Sequence, residues 1–415
     1  MANSREGKPA FCYERHVESD KKGLGYPPPS INFDDLTGPL RHKTIGELRA
    51  ASFVFRTIQS PWLMKMGRGL ARLGLSLRIP GTAYAIQQTV FRQFCGGTTV
   101  EEAVERAGRL YQRGIACILD YAVEGEDDEA DFDRVTDEIL RVVDVTAERP
   151  EIAFAAVKMT GMARFALLAK IARGEELTEN EQDEFERAEK RIERVCERAA
   201  KSGTAIFVDA EHSWIQAPID ETVEKLMQRY NANGAVLHTT VQLYLSNGLD
   251  FLSRSIDRAR AGGYRLGVKL VRGAYMEKEN ERAEKMEYPS PVQPSKTATD
   301  EAYDKGLTLC LENLDVVSVC AATHNITSTR HLISEMARLG IPKDDSRVTA
   351  SQLLGMFDRI TVPMAEHGYN VLKYLPYGGI RDAFPYLLRR ADENKSVADQ
   401  LGRELDAVRA ELRRR

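Results

Sequence analysis

Eight short apolar runs recur through the last three quarters of this 415-residue chain, and they constrain its fold more than any other feature. They are GIACILDYA, IAFAAVKMT, TAIFVDAE, AVLHTTVQLYL, RLGVKLVRGAY, VVSVCAATHN, SRVTASQLLG and NVLKYLPYG. Each is continuously apolar on its N-terminal side rather than alternating, the pattern of a strand covered on both faces. Charged stretches at helical spacing lie between them, such as TVEEAVERAGRLYQR and NEQDEFERAEKRIERVCERAAKSG. Eight successive β-then-α units predict an α/β protein with a closed (β/α)8 barrel of TIM type, rather than an open doubly wound sheet.

The remaining segments read as additions to that barrel. Residues 1–43 form a polar arm rich in Pro and Gly, ending in GYPPPSINFDDLTGPL. Residues 44–97 read as a helical extension that starts at a Thr44 cap with Glu47 three positions on. Its apolar helical patterns, ELRAASFVFRTIQ and GTAYAIQQTVFRQF, are split by Pro61 and Pro80. The catalytic barrel is expected over 98–397, with a proline-bearing loop over its mouth at 280–297. A charged amphipathic helix follows at 398–415.

Composition narrows the classes of function. Apolar residues make up 43% and charged residues 29%, ordinary for a soluble protein. The net charge of −4 is spread without a basic stripe, which argues against nucleic acid as a partner. No apolar run approaches the roughly 18 residues of a spanning helix. The N-terminus lacks the apolar core of a secretory signal and carries early acids. The expected location is the cytoplasm, possibly at the periphery of an inner membrane, with mitochondria as the alternative. Cys12, Cys95, Cys117, Cys196, Cys310 and Cys320 are scattered with no CxxC pair, which predicts reduced thiols and no metal site.

Polar residues sit where the apolar runs end: Lys158, Asp209, Gln242, Tyr275, His324, Gln352 and Tyr374. Parallel barrel strands bring their C-terminal ends to one face, where active sites of this fold lie. Any one of these residues alone reads as a solvated loop position; seven on one rim point to a site. Lys158 and Asp209 are placed to pair, leaving a cation suited to a carboxylate substrate; a structural ion pair or a Schiff-base lysine are the alternatives. In RLGVKLVRGAY, Lys269 and Arg272 supply charge, and Gly273 and Ala274 leave backbone room for a bulky, phosphate-bearing ligand. Arg389 and Arg390 point about 100° apart on a helix and can grip a small carboxylate from two sides, unless they form a wet helix face. Tyr374 and Tyr377 offer rings near the same mouth. No GxGxxG, GxxxxGK[ST], HExxH or GxSxG is present, so a dinucleotide would have to bind on barrel loops.

GVKLVRGAY, VDAE, AATHN, SQLLGM and KYLPYG…PYLLRRADEN, in this order, resemble the proline dehydrogenase family, and the likeness spans about residues 45–400. The resemblance implies a distorted (β/α)8 barrel that holds FAD non-covalently across the strand ends. It implies that L-proline gives up a hydride from C5 to flavin N5, forming pyrroline-5-carboxylate. Proline's carboxylate would lie on Lys158, Arg389 and Arg390, with Asp209 orienting Lys158 and Glu393 orienting the arginines. Tyr275 and Tyr374 would pack around the ring. Asp209, Gln242, Lys269, Arg272, Gly273, Ala274, Tyr275, Thr323, His324, Asn325 and Gln352 match positions that line the cofactor. Lys269 stands where many bacterial members carry Arg. VKLVRGAY, QLLGM and the long charged helix before Asp209 resemble the mitochondrial branch, and the length suits a monofunctional enzyme. Electrons would pass to a membrane quinone, with peripheral lipid contact offered by Arg409, Arg413, Arg414 and Arg415, or a plain solvated helix end in their place. A hydroxyproline dehydrogenase is the near alternative, disfavoured by the Tyr374 ring, and a Schiff-base lyase on Lys158 is the distant one.

Overall fold

The structure, a computed structural model, describes residues 31–389 and 398–415 apart from residues 37, 42, 78 and 124. All eight predicted strands form: β1 Ile115–Tyr121, β2 Ile152–Val157, β3 Ala205–Val208, β4 Leu237–Gln242, β5 Leu266–Val271, β6 Val317–Ala322, β7 Val348–Leu353 and β8 Val371–Tyr377. They close into one parallel barrel in sequence order, with β8 returning to β1 in the register Ile115↔Val371 to Tyr121↔Tyr377. Six of the seven β8 side chains are apolar or aromatic, and all seven are buried, as the unbroken apolar run requires.

The helices begin where their capping residues direct. In the extension, α1 (Ile45–Gln59) opens on the predicted Thr44–Glu47 capping box. Pro61 then starts α2 (Pro61–Ser76) at a position where its missing N–H costs nothing. Two short helices follow, α3 (Thr82–Ile86) and α4 (Arg92–Phe94). The barrel helices are α5 (Val100–Tyr111), α6 (Glu129–Glu148), α7 (Phe165–Ala172), α8 (Glu179–Ser202) and α9 (Ser213–Tyr230). They continue with α10 (Gly248–Gly262), α11 (Met276–Lys285), α12 (Lys296–Glu312), α13 (Ile326–Arg338) and α14 (Asp358–Glu366). The helical turn α15 covers residues 384–389, and α16 (Ala398–Arg414) ends the chain. The long charged helix α8 starts on a second capping box, Thr178–Glu181, and buries the apolar stripe Ala188, Ile192, Val195, Cys196 and Ala199. Beside that stripe the buried Arg191 reaches Asp133 of α6 at 2.8 Å.

The chain divides into two compact units. One holds residues 124–351 and 368–370; the other holds Ile31–Val123, Gln352–His367 and Val371–Arg415. In the first unit, Phe154, Phe207 and His238 fill the barrel interior, with the two phenylalanine rings stacked at 4.3 Å. In the second, the fully buried Lys373 of β8 bonds Asp358 at 2.9 Å and the Met356 carbonyl at 2.6 Å, and Asp358 also takes Lys43 at 2.8 Å. Burial works against the Asp358 charge, but the two lysines overcome it and hold the carboxyl far below its usual range.

One expectation needs correction, and one pair of alternatives is narrowed. The loop expected over 280–297 is shorter, because α11 runs to Lys285 and α12 starts at Lys296. Its middle is pinned to the chain after β4: Ser246 donates to the Pro291 carbonyl at 2.8 Å and Gln293 to the Tyr244 carbonyl at 2.7 Å. The basic C-terminus is also engaged within the chain. Arg414 and Arg415 pair with the buried Glu411, and Arg415 donates to the carbonyls of Leu40, Arg41 and Lys43. Arg409 reaches Asp406 at 3.5 Å. These contacts support a structural helix end over a lipid-binding one. Among the described residues, no helix is long and apolar enough to cross a membrane.

Candidate active site

Within the first unit, the ends of β2 to β6 carry a connected set of polar groups. Asp209 follows β3 directly, and its amide donates to the Val157 carbonyl at 2.8 Å, locking the ends of β2 and β3 together. Its carboxylate forms an ion pair with Lys269 of β5. Sequence reasoning gave Lys158 as a partner of Asp209; Lys269 is a partner that reading did not name. Lys269 is only 4% exposed, and its ammonium lies 5.0 Å from the centre of the Phe207 ring. Lys158 stands half-buried just beyond β2.

Arg272 leaves the end of β5 and is fixed on every side. Nε donates to Asp300 at 2.6 Å, one terminal nitrogen to Thr323 Oγ1 at 2.7 Å, and the other to Ser328 Oγ at 2.8 Å. Its plane also stacks on Tyr303 at 4.4 Å. Burial tends to raise the Asp300 pKa, yet bonds from Lys296 and Arg272 hold that carboxyl below its ordinary value. The result is a rigidly held guanidinium at a strand end.

The predicted neighbours occupy definite roles. Gln242 is buried and donates to the Glu211 carbonyl at 2.8 Å. Thr323 also accepts from the Asn325 amide at 3.0 Å. The side-chain oxygen of Asn325 caps α13 through Thr327 and Ser328, the bland reading for an Asn before a helix. His324 is half-buried. Tyr275 caps α11 and places its ring 4.2 Å from His212, which stacks on Trp214 at 4.3 Å.

Gly273 departs from expectation. The room on its Cβ side is filled: a Cβ there would lie 1.7 Å from the Tyr244 ring, and the backbone sits at φ +133, which favours glycine. Gly273 and Ala274 nevertheless remain exposed, so a ligand can reach that backbone from the open side.

Two residues that the sequence did not single out hold this arrangement. Glu211, buried after β3, accepts from the Thr160 amide at 3.0 Å and the Thr160 hydroxyl at 2.5 Å, which fixes the chain after Lys158. Glu279, fully buried on α11, accepts from the Ser213 amide at 2.8 Å, the Ser213 hydroxyl at 2.5 Å and the Tyr244 phenol at 3.4 Å. Burial, reinforced by Glu279, pushes the Tyr244 phenol up, so it stays a neutral donor.

In the second unit, Gln352 is buried on β7 and accepts from Thr361 at 2.8 Å. Tyr374 of β8 is 8% exposed, with its carbonyl accepting from the Leu354 amide. Arg389 is half-buried in α15. Arg390 and Glu393 lie outside the described residues.

The chemistry of this donor set fits a large anionic cofactor: a fixed guanidinium, a neutralised Lys–Asp pair and accessible backbone at the end of β5. A family model described as proline dehydrogenase matches residues 103–403. The carbapenem antibiotics biosynthesis protein CarD of Pectobacterium carotovorum is 34% identical over 78% of this chain and 83% of its own. Hydroxyproline dehydrogenase of Xenopus laevis is 30% identical over 93% of this chain and 90% of its own. Mitochondrial proline dehydrogenase 1 of Homo sapiens is 35% identical over 57% of this chain and 40% of its own. In fold, the chain superposes on proline utilization A of Bdellovibrio bacteriovorus with a TM-score of 0.70 at 19% identity, covering 85% of this chain and 41% of that one. Matched through every barrel strand, the chain belongs to the proline dehydrogenase family.

Proposed function

We propose that this protein is an FAD-dependent dehydrogenase that oxidises L-proline to pyrroline-5-carboxylate and passes the electrons to a quinone. The family match over residues 103–403 carries this reading, and the cationic end of β5 supports it. When bound non-covalently, FAD supplies the two-electron acceptor for the hydride on proline C5. Arg272, Lys269, Gln242, Gly273, Ala274, Thr323, His324, Asn325 and Gln352 are assigned to hold it, with Asp209 pairing with Lys269. Arg272 is suited to a diphosphate because its guanidinium is already oriented and loses little freedom on binding.

Lys158, Arg389 and Arg390 are assigned to the substrate carboxylate, with Glu393 orienting the arginine pair. Binding the carboxylate fixes which ring carbon faces the acceptor. Tyr275 and Tyr374 are assigned to cover the pyrrolidine ring and exclude water, which would otherwise stabilise the charged amine. The amine must lose its extra proton before hydride leaves C5, so the assigned cations favour the reacting neutral form.

A second reading, oxidation of 4-hydroxyproline, is favoured by the hydroxyproline dehydrogenase relatives that cover 93% of the chain. Tyr374 weighs against it, since its bulk is expected to occupy the space a ring hydroxyl needs. An anaerobic titration of the purified protein, following the visible flavin absorbance, tests both. Bleaching by L-proline and much less by 4-hydroxy-L-proline supports proline. The reverse order supports the second reading, and a protein that stays colourless with added FAD defeats both.

A further inference from the structure

The residues that follow β3, Asp209, Ala210 and Glu211, hold the ends of β2, β4 and β5 in place. The Asp209 amide donates at 2.8 Å to the carbonyl of Val157, the residue before Lys158. The Glu211 carboxylate takes the Thr160 amide at 3.0 Å and the Thr160 hydroxyl at 2.5 Å, two residues after Lys158. Lys158 is therefore gripped on both sides from one short stretch. The same stretch reaches β4 and β5, where the Glu211 carbonyl accepts from Gln242 at 2.8 Å and the Asp209 carboxylate pairs with Lys269.

Glu211 divides its bonds between the two sides. Its side chain serves the turn after β2, while its main chain serves Gln242 through the carbonyl and Gln216 of α9 through the amide, which donates at 2.8 Å. Gln216 is held in turn by Asp220 at 2.8 Å. Glu211 is 5% exposed and Thr160 1%, so water cannot take over their bonds while the core stays closed. The turn they fix is tight: the Gly161 amide returns to the Lys158 carbonyl at 3.1 Å, and Arg191 of α8 donates to the Met162 carbonyl at 3.3 Å. The main chain at Lys158 is thus pinned, with its side chain half-buried at the rim. An apolar contact would pack such a turn without the cost of desolvating a carboxylate. Directed bonds do what packing alone does not, and hold a binding group to within about 0.5 Å.

We propose that Glu211 is a positioning residue for the substrate: its carboxylate sets Lys158 in register with the groups assigned to FAD. It thereby fixes how far the substrate carboxylate lies from the electron acceptor. This rests on the assignment of Lys158 to that carboxylate made above. Glu211 acts through Thr160 rather than by contact with the substrate.

The test uses (S)-tetrahydrofuran-2-carboxylate, which keeps the ring and carboxylate of proline but has no amine to oxidise. Its binding to the FAD-loaded protein is followed by the visible flavin spectrum, beside FAD retention and the thermal midpoint. Glu211→Ala should weaken this binding, and raise KM for proline, by about tenfold, the loss expected for two buried hydrogen bonds. FAD retention should change by less than about twofold, because the main-chain bonds to Gln242 and Gln216 survive. Glu211→Gln should restore most of the affinity, since its amide oxygen accepts from the Thr160 amide and its NH2 donates to the rotated hydroxyl. If Glu211→Ala fails to fold, Thr160→Val takes its place; it removes one bond and should weaken the carboxylate by about threefold with FAD retention unchanged. Equal losses of carboxylate and FAD affinity would mean general loosening and overturn the proposal, as would wild-type carboxylate affinity in the variant. Lys158→Met separates this failure from that of the underlying reading. If Lys158→Met loses carboxylate affinity and Glu211→Ala does not, only the positioning role falls. If Lys158→Met binds as the wild type does, the substrate assignment of Lys158 falls and the positioning role with it.

Discussion

Substituting Gly273 by alanine separates two explanations for that glycine. Either its missing side chain lets a ligand approach, or it makes room for Tyr244. The structure argues for the second, since the added Cβ would lie 1.7 Å from one ring carbon and 1.9 Å from the next. Ordinary contact needs roughly twice that separation, so the ring must leave its place. Displacing it gives up its buried packing and its bond to Glu279, a loss comparable to a large-to-small core change of about 3–5 kcal/mol. The backbone at φ +133 adds about 1–3 kcal/mol of strain for any L side chain. Gly273→Ala should therefore cost about 4–8 kcal/mol in the wild-type background. In a Tyr244→Ala background only the strain remains, about 1–3 kcal/mol, leaving a coupling of about 3–5 kcal/mol. Urea midpoints of the four proteins in the cycle measure it. Additive costs, or a Gly273→Ala protein of wild-type stability that has lost only cofactor affinity, would refute the packing account and restore the ligand-access one.

Other consequences follow from the same groups. Asp209→Asn removes the ion pair from the almost buried Lys269, and should cost about 2–4 kcal/mol by urea unfolding. Adding Lys269→Met should recover part of that loss, and no recovery would mean the pair is not the cause. Arg272→Lys keeps the charge but cannot reproduce three directed bonds and the stack on Tyr303. It should weaken FAD retention by at least about tenfold, read by reconstitution of the flavin-free protein; wild-type affinity would free Arg272 from the assigned role. His238 provides a pH test. Burial pushes its imidazole down to about 4, so between about 6.5 and 4 the unfolded chain binds a proton that the folded one refuses. Stability from this residue is complete above about 6.5 and falls as pH drops towards 4, by up to about 3 kcal/mol. His238→Gln should flatten that part of the stability–pH curve, and an unchanged slope would place the acid sensitivity elsewhere.

The barrel was legible because its signal is local and repeated. A strand covered on both faces must be apolar throughout, and several helices announce their start through a capping residue such as Thr44, Thr178 or Asn325. The strand-end residues were legible for the same reason, since a polar group closing an apolar run marks where the chain leaves the core. Partners from distant strands were not. The pairing of Asp209 with Lys269 of β5, 60 residues away, was not read, because barrel closure brings side chains of nonadjacent strands into one interior. Lys373 shows the converse: it sits beside Tyr374 in the same apolar run, but its ammonium is consumed by Asp358 and two carbonyls. Strand alternation sends neighbouring residues to opposite faces, and only the closed sheet decides which face carries chemistry. Glu279 escaped notice because an acid in a charged helix normally faces water, and Glu211 because it closes the quoted VDAE run beside the more obvious Asp209. Their donors lie 51 and 66 residues away, and no local pattern contains a trace of them. The polar groups that do the positioning are therefore hardest to read, since each is defined by a pairing rather than by a pattern. A buried carboxylate with several donors is the feature to seek once the fold is known.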